Sequence, residues 1–347
     1  MLKVIEGGPE QATAQTFPEA GWPHSVASVR HQEVIAGRYR VGNVIGAGGM
    51  ATVHEAMHVV TGRRLAVKFL RPEFRNDAAS LARFEREAHA AGIIESENVI
   101  SVLDFGYTKF DEPYIVMEYL SGESLSAFLS REAPLPVPFA VDVAIQACRG
   151  LAAAHAAGVV HRDVKPDNLF VCHHSDGTSL IKVFDFGIAK IMDDTRFRVG
   201  PRRPALGLWP THGFGLPPAG GINPASFVAI EAGQFLGTAA YMSPEQIRGA
   251  DGVDQRSDVY SVGGILFEML SGETPHPGES FVEIIDHVLK QKPTRIETLR
   301  GTLPPSLAAI IHRALDADPR ERFASALRLA AVLAPFAECR PATGEVD

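Results

Sequence analysis

The chain has 347 residues, 46% of them hydrophobic and 21% charged, which is enough for one large domain or two lobes with a sizeable core. A formal charge of −8 argues against a nucleic-acid-binding surface as the main business. Three scattered cysteines, Cys148, Cys172 and Cys339, read as reduced thiols rather than a disulfide framework.

Residues 1–37 have no sustained period and read as a flexible tail. From Arg38 the pattern becomes strand-like: Tyr39 to Ile45, Thr52 to His58 and Arg64 to Leu70, with Thr61-Gly62 as a hairpin turn. Asp77 is placed to cap a helix whose apolar stripe runs through Phe84, Ala88 and Ala91. Two further strands follow, Ser101 to Tyr107 and Tyr114 to Tyr119, joined through Asp111-Glu112-Pro113. This predicts five strands and one helix. After Ser121-Gly122 the spacing turns helical over Leu125 to Ser130 and Phe139 to Ala156. Short apolar runs, Leu169 to Cys172 and Ile181 to Phe184, predict a small strand pair, and from Ser257 the chain is helical again. No basic start followed by an apolar run marks a signal peptide, and no stretch reads as a membrane span. Ala326 to Ala337 reads as a packed terminal helix.

Ile45-Gly46-Ala47-Gly48-Gly49 precedes the second strand. Glycines there let backbone N–H groups approach phosphates without a Cβ clash, although a turn without a ligand has the same composition. No Gly-Lys-Ser/Thr follows, so this is not a Walker loop. Lys68 on the third strand is placed to bridge phosphates if a carboxylate holds it, and Glu87 lies on the lobe-facing stripe of the following helix. The most specific string is His161-Arg162-Asp163-Val164-Lys165-Pro166-Asp167-Asn168, followed by Asp185-Phe186-Gly187. Asp163 can accept a hydroxyl proton, Lys165 can sit beside a γ-phosphate, and Asn168 and Asp185 supply hard oxygen ligands for a metal. Cys172-His173-His174 reads as a surface hairpin rather than a metal site.

With these strings in order, the chain resembles the eukaryotic-like (Hanks-type) serine/threonine protein kinases, most closely their bacterial branch, over roughly Arg38 to Pro335. The resemblance implies an α+β bilobal kinase fold: an N-lobe over 38–120 and a C-lobe over 121–336, followed by a short tail over 337–347. It implies ATP and Mg²⁺ (Mn²⁺ as the alternative) in the cleft, protein substrates, and autophosphorylation. It also implies that Val53 and Ala66 pack above adenine and Phe170 below it. Met117 resembles the gatekeeper, with Glu118 to Leu120 the hinge. Glu245 in Ser243-Pro244-Glu245 would pair with Arg322, and Asp258 would anchor the catalytic-loop backbone. Thr238, in Gly237-Thr238, matches a threonine that bonds near Asp163 and Lys165.

Between Asp185 and Glu245 the chain departs from the family by an insertion, about 194–232, rich in Gly and Pro and expected to be a flexible loop. Arg162 normally pairs with a phosphorylated residue in this segment. The usual phosphosite positions hold Ile230, Glu231 and Ala232. Glu231 is expected to substitute partly for phosphate, with Ser226, Thr211 and Thr195 as competing acceptors. A pseudokinase or scaffold and a small-molecule phosphotransferase stay as alternatives, against the full set Lys68, Glu87, Asp163, Asn168 and Asp185. A cytoplasmic location is expected, and a homodimer through the small lobe is compatible with the sequence.

Overall fold

The computed structural model describes residues 33–173, 178–186, 190–191, 239–249 and 253–337. The predicted insertion, Glu231 and Thr238 lie outside these residues.

The small lobe is an antiparallel sheet of six strands in the order β1-β2-β3-β4-β6-β5. They are β1 (Val34–Ile35), β2 (Tyr39–Ala47), β3 (Ala51–His58), β4 (Arg64–Leu70), β5 (Val102–Tyr107) and β6 (Pro113–Glu118). The sequence predicts five strands and a tail through residue 37. The sixth, β1, turns at Ala36-Gly37 and pairs Ile35 with Tyr39, so the fold starts inside the predicted tail. Two residues carry no readable period. The sheet curls until its edges meet: the Tyr39 hydroxyl and the Arg38 guanidinium both donate to Asp104 on β5, at 2.9 and 2.7 Å. Helix α1 (Ala78–Gly92) packs Phe84, Ala88 and Ala91 inward, and Asp77 caps it by accepting from the Ser80 N–H at 2.9 Å.

The large lobe is mainly helical. Its first elements are β7 (Gly122–Ser124), α2 (Leu125–Glu132), α3 (Val137–Ala156) and β8 (Val159–Val160). The hairpin β9 (Leu169–His173) and β10 (Ser179–Val183) follows, with β7 beside β9 and β11 (Lys190–Ile191) beside β8. Beyond the undescribed stretch come α4 (Pro244–Ile247), α5 (Arg256–Ser271), α6 (Phe281–Lys290), α7 (Ile296–Leu299), α8 (Pro305–Ala314) and α9 (Ala326–Leu333). Helix α3 is long and apolar enough to cross a membrane by length and composition alone, a test that a buried core helix also passes. Its apolar face lies inside the lobe, with Val141, Ala144, Cys148 and Leu151 fully buried among α5, α9 and β10, while Asp142 and Arg149 lie on its outer side.

Two glycines mark where backbone meets backbone. A Cβ at Gly122, whose φ is +147°, would stand 2.0 Å from the Val171 carbonyl oxygen. One at Gly150 would stand 2.5 Å from the carbonyl oxygen of Asn98, where α3 passes the loop leading into β5.

Candidate active site

Strand alternation builds the upper wall. Ala66 and Lys68 are two apart on β4 and face the same way. Across the ladders, Lys68 stands opposite Val53 and Ala66 opposite Met117. Ala66, Ile100 and Met117 form a buried cluster with Val53, Leu120 and Phe184 packed against it. Phe170 faces Phe184 edge-on, ring centroids 6.3 Å apart. Ile45 to Gly49 span the end of β2 and the turn into β3, where the Gly48 N–H donates to the Ala51 carbonyl at 2.9 Å. Ile100 and Phe184 belong to this wall although sequence reasoning passed over them; the position of Phe184 immediately before Asp185 was the available signal.

Lys68 reaches Glu87 of α1 at 2.5 Å and Asp185 at 3.7 Å. Burial works against the Lys68 ammonium, but the carboxylates of Asp185 and Glu87 outweigh it and raise its pKa. Burial pushes the Glu87 carboxyl up to about 7 against the pull of Lys68.

The floor is a loop between β8 and β9. Asp163 accepts from Lys165 at 3.0 Å, and the Asn168 amide donates to the Asp163 carboxylate at 3.0 Å and to its carbonyl at 2.8 Å. Burial raises the Asp163 pKa, opposed by Lys165 and His161. The His161 ring meets the Phe184 carbonyl through Nε2 at 3.1 Å, while its Nδ1 accepts from the Asp163 N–H at 3.2 Å. That pattern puts the ring proton on Nε2. The same ring packs on Phe186, centroids 4.6 Å apart, so His161 touches both neighbours of Asp185. Arg162 and Asp185 hold left-handed backbone, φ +68° and +63°, which non-glycine residues adopt only where their surroundings enforce it.

At Arg162, Asp258 enforces it from below. Its buried carboxylate accepts the N–H groups of His161 and Arg162 at 3.0 and 2.9 Å and meets His155 Nε2 at 2.7 Å. Burial would raise its pKa, yet these donors hold it below the ordinary range. Gln246 of α4 donates to the Arg162 carbonyl at 2.7 Å, and Arg162 itself donates to the Val253 carbonyl at 3.2 Å. Glu245 and Arg322 form a buried two-pronged pair at 2.7 and 2.8 Å, with the Ser257 hydroxyl on the same carboxylate at 2.7 Å.

Glu118 is used twice over. Its backbone lies on the hinge, and its side chain turns back to accept from Lys182 at 2.7 Å and from the Ser101 N–H at 2.8 Å. Lys182, the penultimate residue of β10, was missed in the sequence, where it interrupts the apolar run Ile181 to Phe184.

The site therefore offers two ammoniums (Lys68, Lys165), three carboxylates (Glu87, Asp163, Asp185) and the Asn168 carboxamide along one cleft. Asn168 and Asp185 are hard oxygen ligands of the kind a divalent cation takes when phosphates complete its shell. No cluster of three or more His, Cys, Asp or Glu suited to hold a metal occurs among the described residues.

The protein kinase domain family matches residues 39–332. The chain is 38% identical over 296 residues to the serine/threonine-protein kinase pkn3 of Myxococcus xanthus, covering 85% of this chain and 49% of that protein. It is 33% identical over 302 residues to the serine/threonine-protein kinase PknB of Mycobacterium leprae, covering 86% and 43%. The chain thus spans about half the length, or less, of these relatives. A crystal structure of a double mutant of the Mycobacterium tuberculosis PknI kinase domain superposes with a TM-score of 0.62 at 23% identity, covering 90% of this chain and all of that one, a likeness in fold. By its family match and its relatives, the chain belongs to the protein kinase domain family, whose members use ATP and a divalent metal.

Proposed function

We propose that the chain is a serine/threonine protein kinase, transferring the ATP γ-phosphoryl group to Ser and Thr hydroxyls of proteins, its own among them. The observation that carries this is the single cleft in which Lys68, Glu87 and Asp185 face Asp163, Lys165 and Asn168. Mg²⁺, with Mn²⁺ as the alternative, would be held by Asn168 and Asp185 and would neutralise phosphate charge. Lys68, kept charged and aimed by Glu87, would hold the α- and β-phosphates. Lys165 would steady the γ-phosphate, and Asp163 would orient the incoming hydroxyl and accept its proton. The raised pKa of Asp163 makes it a stronger base than an ordinary aspartate. Ser/Thr preference rests on Lys165, two residues after the base. A role for Thr238 beside Asp163, partial phosphate mimicry by Glu231, small-lobe homodimers and a cytoplasmic location belong to the same reading.

The test is phosphoamino-acid analysis of a protein mixture incubated with the chain, ATP and Mg²⁺, repeated with Mn²⁺. Phosphoserine and phosphothreonine support the reading. Phosphotyrosine alone, or transfer only to small molecules, overturns it.

A further inference from the structure

Strand alternation puts Arg64 on the same face of β4 as Ala66 and Lys68, at the outer end of the cleft roof. The β4–β6 ladder ends at the pair Leu65 and Glu118, so Tyr119 is the first hinge residue beyond the sheet. There the Arg64 guanidinium lies over the half-buried Tyr119 ring, 4.0 Å from its centroid. That is well inside the range in which a cation is attracted to an aromatic face. Arg64 also reaches Glu55 of β3 at 3.7 Å, but its side chain is 61% exposed, so that ion pair adds little.

The contact bears on the cleft through the neighbours of Tyr119. Leu120, the next residue, packs against the Ala66, Ile100 and Met117 cluster of the upper wall. Glu118, the residue before, accepts from Lys182 of β10. Consecutive hinge side chains are therefore held from opposite lobes, Glu118 by the large lobe and Tyr119 by the small one. Pinning Tyr119 to β4 fixes the backbone that carries Leu120, and with it the outer width of the slot. A planar guanidinium suits this task because it stacks flat on a ring and keeps its charge at every working pH.

We infer that Arg64 is a positioning residue for nucleotide binding: by stacking on Tyr119 it holds the hinge in the geometry that grips the adenine base. The inference rests on the proposed reading of the cleft as an ATP site. It differs from an attraction between the Arg64 charge and the phosphates, because a grip exerted at the base end acts equally on a nucleoside that carries no phosphate.

The full chain is titrated calorimetrically with Mg²⁺-ATP and with adenosine, beside Arg64→Ala, Arg64→Lys, Tyr119→Phe, Tyr119→Leu and the pair Arg64→Ala with Tyr119→Leu. Melting temperatures check that each variant is folded. Arg64→Ala is expected to weaken both ligands about three-fold, and Arg64→Lys to weaken them less. Tyr119→Phe keeps the ring and is expected to bind as the parent does. The pair is expected to bind no more weakly than Tyr119→Leu alone, the mark of two side chains that act together. In turnover, Arg64→Ala is expected to raise the KM for ATP more than it lowers kcat. Adenosine binding unchanged in Arg64→Ala, with or without a loss for ATP, overturns the inference, and so do additive losses in the pair. A parent chain that binds neither ligand overturns the reading of the cleft, and the inference with it.

Discussion

Lys182, on the strand that leads into Asp185, donates to Glu118 of the hinge strand at 2.7 Å, and both side chains are largely buried. The Lys182 ammonium also lies 3.4 Å from the Val99 carbonyl, and the Val183 N–H donates to the Asn98 carbonyl at 2.8 Å. The hinge, the loop into β5 and the strand into Asp185 therefore meet at one ion pair. Removing one partner leaves the other charge buried and unpaired, at a cost of about 3–5 kcal/mol. Lys182→Met is expected to destabilise the chain by that order and to raise the KM for ATP more than it lowers kcat. Lys182→Met with Glu118→Gln is expected to recover much of the stability, measured by denaturant unfolding as a double-mutant cycle. Additive losses would show that the two side chains do not act together.

Proton acceptance by Asp163 sets the acid limb of the rate profile. Because burial raises its pKa above the ordinary 3.8, kcat/KM is expected to rise with pH through a value above 3.8. A pH–rate profile measures it. A limb at or below the ordinary aspartate value would contradict the assignment.

Glu245 predicts how the large lobe responds to acid. Burial opposes its charge, yet Arg322 and Ser257 hold its carboxyl below the ordinary 4.5. A lowered folded-state pKa adds stability above 4.5 that is lost as pH falls through the folded value. Glu245→Gln should therefore cost about 3 kcal/mol at neutral pH, as expected for a broken buried pair. Its deficit relative to the parent chain should narrow below pH 4.5. Unfolding at a series of pH values tests this; a deficit independent of pH would rule out the ionic account.

Arg162 sits in left-handed backbone with its Nε buried and unpaired among the described residues. A carboxylate at position 231 is an available partner in the proposed reading. Glu231→Ala is expected to lower phosphotransfer several-fold without changing the melting temperature, and Glu231→Asp to retain more activity than Glu231→Ala. Unchanged turnover in Glu231→Ala would remove position 231 from the mechanism and return the question to Ser226, Thr211 and Thr195.

Much of the cleft was legible because short-range geometry carries it. Two-residue spacing put Ala66 and Lys68 on one face, and the α1 stripe brought Glu87 toward the lobe interface. Lys182 and Glu118 were not legible for the converse reason. In a two-residue period a lysine between Ile181 and Val183 reads as pointing to solvent, and only the tertiary stacking of β10 on the loop from Asn98 buries it. Strand β1 was too short to carry a pattern. The length and composition of α3 do not say whether its apolar surface meets lipid or protein; packing against α5 and α9 decides it. Phe184 and Ile100 were apolar residues among many until the sheet register brought them beside Met117.

The most direct test of the central claim is the intact mass of the purified chain after incubation with ATP and Mg²⁺, beside an Asp163→Asn control of equal melting temperature. The account predicts added phosphate on Ser or Thr in the parent chain and none in the control. No added phosphate and no transfer to other proteins, with ATP still bound, would contradict it and make the chain a nucleotide-binding scaffold.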